Sequence, residues 1–538
     1  MPLTRREVLA GSMAVFPDYL ISPKSVLAAS NEVGPSSDGR APVVETADGA
    51  VRGVLEGDVA VFRGIPFAAP PVGHLRFRAP EPPVRWTKVL DATQFGPMCP
   101  QNPSRLNRIM GDFNLPQAEN NCLTLNVWTP VLTGPRAPVM VWIHGGGYTS
   151  GSGRLDWYSG LHFARNGGIV VVTINYRLGP LGFLYLPGVC QGNLGILDQR
   201  MALRWVKNNI DRFGGDANKV TVAGQSGGGR SAVIHMANEE TNKLFCRAII
   251  QSPAIGAPPV SPDKAMERAR EYIALLRLDK PADLMTLPVD KLLAGFADLS
   301  RGVRRFANST PPFETVIDGE VFKGDPVDTL IEKGTAGIRV LMGTTRDESA
   351  AHFAFADDVL RATDTDVRGR FASAFGQQSA NVYLDEFRRM LPDNTPYALL
   401  VHLVTETSYL RRSLQIADAS AKRGNPFYVF RFDWQSPVKA FGACHTLDLP
   451  FVFNNFESWT NAPMLVGSDL EEMRGLSDVM HRAWINFIRV GNPDHDHLPP
   501  WAPYDLEYRT TMRFDTMTEA VGDLAGLRWR QPWPRLAE

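Results

Sequence analysis

The chain has 538 residues, with 56 Lys+Arg against 57 Asp+Glu and a formal net charge of −1. The length exceeds the ~100–200 residues usual for one domain, and the lack of a basic excess argues against a nucleic-acid partner. A hydrophobic share of 44% with 21% charged residues excludes intrinsic disorder and describes a large folded protein of unstated function.

Residues 1–30 open on Thr4-Arg5-Arg6-Glu7-Val8-Leu9-Ala10 and close on Ala28-Ala29-Ser30. A paired arginine, an apolar stretch and small residues at a cleavage position predict a twin-arginine export signal, hence a periplasmic or secreted protein. Pro17, Asp18 and Lys24 interrupt that stretch, so the alternative is a disordered tail on a cytoplasmic protein. No later segment supplies the ~20 uninterrupted apolar residues that span a bilayer. The best candidate, 168–186, contains Arg177 and Pro180 and reads as a buried strand plus a turn.

Three short valine-rich pieces, 42–46, 49–54 and 58–63, predict a small N-terminal antiparallel sheet. From residue 120 strands are expected at 123–128, 138–143, 168–176 and 219–223, with a helix at 198–213 between the last two. Such alternation predicts an α/β fold with a mainly parallel sheet. Residues 262–335 are helical in pattern, at 262–276 and 289–306, and read as an inserted cap. Strands at 338–343 and 426–432 follow, then a helix at 469–490.

The sharpest local feature is Gly224-Gln225-Ser226-Gly227-Gly228 between an apolar strand and a helical run. A Gly-x-Ser-x-Gly sequence in that setting predicts a nucleophile elbow, a strained turn that exposes the serine hydroxyl. Val141-Trp-Ile-His-Gly145-Gly146-Gly147-Tyr148, a strand ending in glycines, offers free backbone N–H groups for an oxyanion hole, with Gly227 as a further donor. A base and an acid should follow in chain order. Of ten histidines seven follow Ser226, and His445, in a loop of small residues, is the best placed. Asp347 and Glu348, just beyond an apolar strand, are the acid candidates, and their sequence does not separate them.

The five cysteines, Cys99, Cys122, Cys190, Cys246 and Cys444, are too few for a disulfide scaffold and lack zinc-site spacing. Asp494-His495-Asp496-His497 has metal-ligand residue types, but its Pro/Gly-bounded setting reads as an ordinary loop.

Longer motifs extend the pattern over nearly the whole chain, from about residue 42 to residue 515. Phe62-Arg-Gly-Ile-Pro-Phe-Ala-Ala-Pro-Pro-Val-Gly73, Leu75-Arg-Phe77, Trp86, Cys122-Leu-Thr-Leu-Asn-Val-Trp128, Gly192-Asn-Leu-Gly-Ile-Leu-Asp198-Gln199, Phe213-Gly-Gly-Asp216 and Gly491-Asn-Pro together resemble the type-B carboxylesterase/cholinesterase family of α/β-hydrolases. The resemblance implies an α/β-hydrolase fold and a catalytic triad of Ser226, Glu348 and His445. It also implies oxyanion donors at Gly146, Gly147 and Gly227, and a Cys99–Cys122 disulfide bordering the site. No metal or cofactor is implied; the partners are a small ester substrate and water.

The chain departs from the family at Gln225, where Glu is usual, at Gly227, where Ala is usual, and at Asn120-Asn121, where an acidic pair is common. The loop from Cys99 to Cys122 has no Trp to hold a quaternary ammonium by cation–π attraction; it carries Phe113, Arg105 and Arg108. Neutral or mildly acidic esters are therefore expected, and choline esters disfavoured. A carbamate or amide hydrolase would use the same triad. An inactive binding module of this fold is the remaining alternative, and it would be expected to lack a triad member. Because Ser226 and His445 must meet, residues 31–538 are expected to form one catalytic domain with its cap at about 262–335.

Overall fold

A computed structural model describes residues 41–524 apart from Val131, Thr133 and Ser309; the expected export signal at 1–30 lies outside the described residues. The centre is an 11-stranded sheet. Its spatial order is Glu519–Val521, Thr511–Phe514, Phe427–Phe432, Arg339–Thr345, Arg247–Gln251, Gly215–Gln225, Ala137–Ile143, Val170–Ile174, Thr124–Thr129, Val59–Pro66 and Val54–Glu56. From Thr511–Phe514 to Val170–Ile174 every neighbour is parallel, and the outer pairings are antiparallel. The central strands are β-branched and buried throughout, as in Val170-Val-Val-Thr-Ile174, because helices cover both faces. This is the α/β-hydrolase architecture that the motifs implied.

The N-terminal pieces part company. Val43–Glu45 and Ala50–Arg52 form a small antiparallel pair that Leu90–Asp91 joins in parallel. The third piece, Val59–Pro66, is longer than expected and belongs to the main sheet. Four strands of the main sheet escape the sequence pattern: Val54–Glu56, Arg247–Gln251, Thr511–Phe514 and Glu519–Val521. Arg247–Gln251 has an apolar stretch of only Ala248-Ile-Ile250, and Thr511–Phe514 is equally brief. Between Arg339–Thr345 and Phe427–Phe432 the chain is helical, with Asp364–Phe375, Ala380–Met390, Pro396–Thr405 and Arg411–Ala421 in succession.

In the cap region, helix Pro262–Leu276 starts where the serine hydroxyl of Ser261 accepts from Lys264 N–H and Pro262 occupies the first turn. Helix Val289–Gly302 is shorter than its pattern suggested. Ala269, Tyr272, Leu292, Phe296 and Leu299 join the same hydrophobic core as the sheet. Arg76, nearly buried, fastens this region: it donates to Glu119 Oε1 at 2.6 Å and to the carbonyl of Leu287 at 2.7 Å.

A second arginine is buried more deeply. Arg177 grips Asp198 in a forked pair, Nη2 to Oδ1 at 2.6 Å and Nε to Oδ2 at 2.8 Å, while its Nη1 donates to the Arg78 carbonyl at 2.8 Å. One charge binds the end of a core strand, a helix and the 62–78 segment together. Removing one partner of such a pair leaves a buried, uncompensated charge. Arg177→Met is therefore expected to lose about 3–5 kcal/mol of stability, read as a lower urea midpoint; a midpoint unchanged from wild type would refute this.

Candidate active site

Four sheet strands deliver the expected residues at their C-terminal ends, the edge where open α/β sheets place ligands. Ala137–Ile143 leads to the glycine loop, Gly215–Gln225 to Ser226, Arg339–Thr345 to Glu348 and Phe427–Phe432 to His445.

Ser226 sits at φ 58° and ψ −120°, between its strand and helix Gly227–Ala237. Its N–H donates to the Gln251 carbonyl at 2.9 Å and its carbonyl accepts from Arg230 N–H at 2.8 Å. The turn is possible only without certain side chains. A Cβ on Gly228 would lie 1.9 Å from the Ile143 carbonyl oxygen. Gly146, at φ 108°, would place a Cβ 2.1 Å from the Ser150 carbonyl oxygen. The N–H groups of Gly146, Gly147 and Gly227 donate to no other acceptor among the described residues. Gly227 stands against Gly147, a Cβ there falling 3.2 Å from Gly147 N. The glycine loop and the elbow thus present three unspent donors in one place.

Glu348 and His445, both fully buried, meet at 2.5 Å between Oε2 and Nδ1. The other carboxylate oxygen of Glu348 accepts from Thr345 N–H at 2.8 Å. Asp347 faces elsewhere. It pairs with Arg346 at 2.7 Å and accepts from Ala443 N–H at 2.9 Å, so it ties down the loop that carries His445. Geometry thereby separates the two carboxylates that sequence left open. Ser226 Oγ has no hydrogen-bond partner among the described residues, so the expected bond to His445 Nε2 is not closed; such contacts commonly tighten only on substrate binding.

Sequence reasoning missed three neighbours of the imidazole. The Tyr409 ring, on a π-helical turn Glu406–Leu410, lies 5.1 Å from that of His445, and the His352 ring lies 5.7 Å away. Burial, then the neighbouring His445 and Arg105, lowers the His352 pKa to about 3. His352 stands four residues past Glu348 on the turn Ala350–Phe353, a spacing that could have flagged it. Asp448, fully buried, accepts from Gln251 Nε2 at 2.6 Å, and its other oxygen has no partner. Burial pushes its carboxyl up to about 6, the charge of Glu348 adding to the rise.

The expected Cys99–Cys122 bridge is not formed. Both are buried free thiols, and each sulfur turns to a backbone carbonyl, Cys99 to that of Cys122 at 3.9 Å and Cys122 to that of Glu119 at 3.5 Å. The two thiols are neighbours all the same: burial, then the Cys122 thiol beside it, raises the Cys99 pKa. Cys444, next to His445, is kept protonated by burial and by the carboxylates of Asp347 and Glu348. At 494–497, His495 Nε2 contacts the Val479 carbonyl at 3.0 Å and Asp494 Oδ1 accepts from Trp501 N–H at 3.2 Å, which accounts for both side chains structurally.

The chain matches the carboxylesterase family model over residues 40–526. It is 37% identical to phenmedipham hydrolase of Pseudarthrobacter oxydans, covering 90% of this chain and 97% of that protein. It is 35% identical to para-nitrobenzyl esterase of Bacillus subtilis, covering 92% and 99%. Among solved structures, a Geobacillus stearothermophilus carboxylesterase superposes with a TM-score of 0.81 at 34% identity, covering 91% of this chain and 100% of that one.

The two adjacent carboxylates make a sharp test. Glu348→Gln is expected to lower kcat by about 10³–10⁴-fold, whereas Asp347→Asn, which keeps its acceptor oxygen for Ala443, should cost less than about tenfold. Equal losses in steady-state kinetics would contradict the separation of their roles.

Proposed function

The chain belongs to the carboxylesterase family, and on that premise we propose that Ser226, His445 and Glu348 cleave carboxylic esters through an acyl-enzyme. The protein is a carboxylic ester hydrolase of the serine type. The observation that carries the residue assignment is the buried Glu348–His445 contact of 2.5 Å beside a serine held in a strained elbow.

In this reading His445 Nε2 takes the proton of Ser226 as Oγ attacks the ester carbonyl, and Glu348 holds the imidazolium that results. The N–H groups of Gly146, Gly147 and Gly227 receive the oxyanion. His445 returns its proton to the departing alcohol. Water then repeats the sequence on the acyl-enzyme, releasing the acid and restoring Ser226.

The substrates fit a neutral or mildly acidic class. Gln225 and Asn120-Asn121 bring no negative charge to attract a cation. In the loop after Cys99, Arg108 lies over the Phe355 ring at 4.0 Å, occupying an aromatic face with the protein's own cation. A second reading, carbamate hydrolysis by the same residues, rests on the compatibility of the triad with either leaving group and on the likeness to phenmedipham hydrolase. Residues 31–538 act as one catalytic domain in this account, with 262–335 as its cap. Arg5-Arg6 supports export, and the adjacency of Cys99 and Cys122 supports closure of their bridge in an oxidising compartment.

Ser226→Ala should abolish labelling by a fluorophosphonate and lower ester hydrolysis by about 10⁵–10⁶-fold; retained labelling would move the nucleophile elsewhere. On a substrate panel, aryl and alkyl esters should turn over far faster than choline esters. Choline-ester turnover rivalling theirs would sink the substrate assignment.

A further inference from the structure

Gln225 lies against the imidazole of His445, and two distances fix how it does so. Its Nε2 is 3.0 Å from His445 Nε2 and 3.5 Å from His445 Nδ1. The lone pair of an imidazole nitrogen points outward in the plane of the ring. A group bonded along that direction at Nε2 would stand across the ring from Nδ1, well out of its reach. A nitrogen close to both ring nitrogens has to stand over the ring face. The contact is therefore of the N–H···π kind, and it leaves the in-plane edge of Nε2 open for the serine proton.

The electrostatic surroundings of the ring are spare. Glu348 is the one charged side chain hydrogen-bonded to it among the described residues. Asp347, on the same loop as Glu348, is engaged by Arg346. Tyr409 and His352 face the ring, both neutral: burial raises the tyrosine and lowers the histidine. Cys444 beside it stays a thiol. Arg105 reaches this group electrostatically through His352, and Asp448 lies within electrostatic reach of His445. Gln225 itself is 1% exposed, so a charge in its place would act with little solvent screening.

We infer that Gln225 is a positioning residue for His445: its amide braces the ring face and, being uncharged, lets the imidazole stay free of its proton to lower pH than a carboxylate there would. The inference rests on His445 being the general base. Its sign follows from the charges. A carboxylate against the ring would favour the imidazolium, which cannot accept the serine proton, so the acid limb of hydrolysis would move to higher pH. The neutral amide makes this an esterase that keeps working in mildly acidic surroundings.

The test is kcat/KM against pH on a neutral aryl ester for wild type, Gln225→Glu and Gln225→Met. Gln225→Glu should raise the midpoint of the acid limb by about one pH unit or more. Gln225→Met, neutral and similar in length but without the N–H, should leave that midpoint within about 0.3 unit, while kcat falls about tenfold at unchanged KM as the ring loses its brace. Coincident acid limbs for wild type and Gln225→Glu overturn the inference. If Gln225→Glu does not fold, Gln225→Met decides alone: a midpoint moved by more than about half a unit, or an unchanged kcat, overturns it. Fluorophosphonate labelling of each variant keeps the two readings apart. Unmoved limbs with Ser226-dependent labelling refute only the role of Gln225, and Ser226-independent labelling refutes the proposed function.

Discussion

The site depends on one strained turn. Ser226 holds φ 58° and ψ −120°, a conformation that costs a side-chain-bearing residue about 1–3 kcal/mol. It persists because its surroundings over-determine it. The strand before it is paired in parallel on both sides, to Ala137–Ile143 and Arg247–Gln251. The Gln251 carbonyl then takes the Ser226 N–H, and the Ser226 carbonyl accepts from the Arg230 N–H of the helix behind. Gly228 completes the constraint, since any side chain there would strike the Ile143 carbonyl, the end of the strand that leads to the glycine loop. The same close approach that requires glycine at 228 brings Gly227 against the Gly147 backbone, a Cβ there falling 3.2 Å from Gly147 N. The Ser226 turn and the unspent N–H groups of Gly147 and Gly227 thus follow from a single packing decision.

Charge is handled with similar economy. Two buried carboxylates in the core beneath the site are partnered: Asp198 is held by Arg177, and Glu348 is hydrogen-bonded to the imidazole of His445. Where no cation is supplied, burial shifts the group toward neutrality, as for the Asp448 carboxyl and the Cys444 thiol. The charged side chain hydrogen-bonded to the imidazole of His445 among the described residues is Glu348. Gln225, Tyr409 and His352 face the ring as uncharged groups, and Asp448 lies within electrostatic reach of it.

How much of this was legible in the sequence depends on how far apart the deciding residues lie. The elbow and the glycine loop are written in consecutive residues, since each needs a strand followed by a local turn. Helix Pro262–Leu276 was equally plain, with Ser261 and Pro262 marking its start. The choice between Asp347 and Glu348 was not, because it is made by the Ala443 N–H nearly a hundred positions away. Tyr409 reaches His445 from a π-helical turn whose local pattern says nothing of catalysis. Strands Arg247–Gln251 and Thr511–Phe514 are too short to show periodicity, and only their pairing partners make them strands.

The cysteine loop is anchored at both ends by polar contacts. Gln101 ties its start to the oxyanion side of the site, donating to the Gly151 carbonyl at 2.9 Å and accepting from Gly151 N–H at 2.7 Å. At the far end Glu119 is gripped by Arg76, which also holds the cap. Both ends are fixed by hydrogen bonds while Cys99 and Cys122 remain thiols. A bridge between them would act chiefly on the unfolded chain, by roughly 3 kcal/mol for a loop of this length. The position of the loop beside the catalytic residues is a property of the folded polar network and does not require the sulfur–sulfur bond.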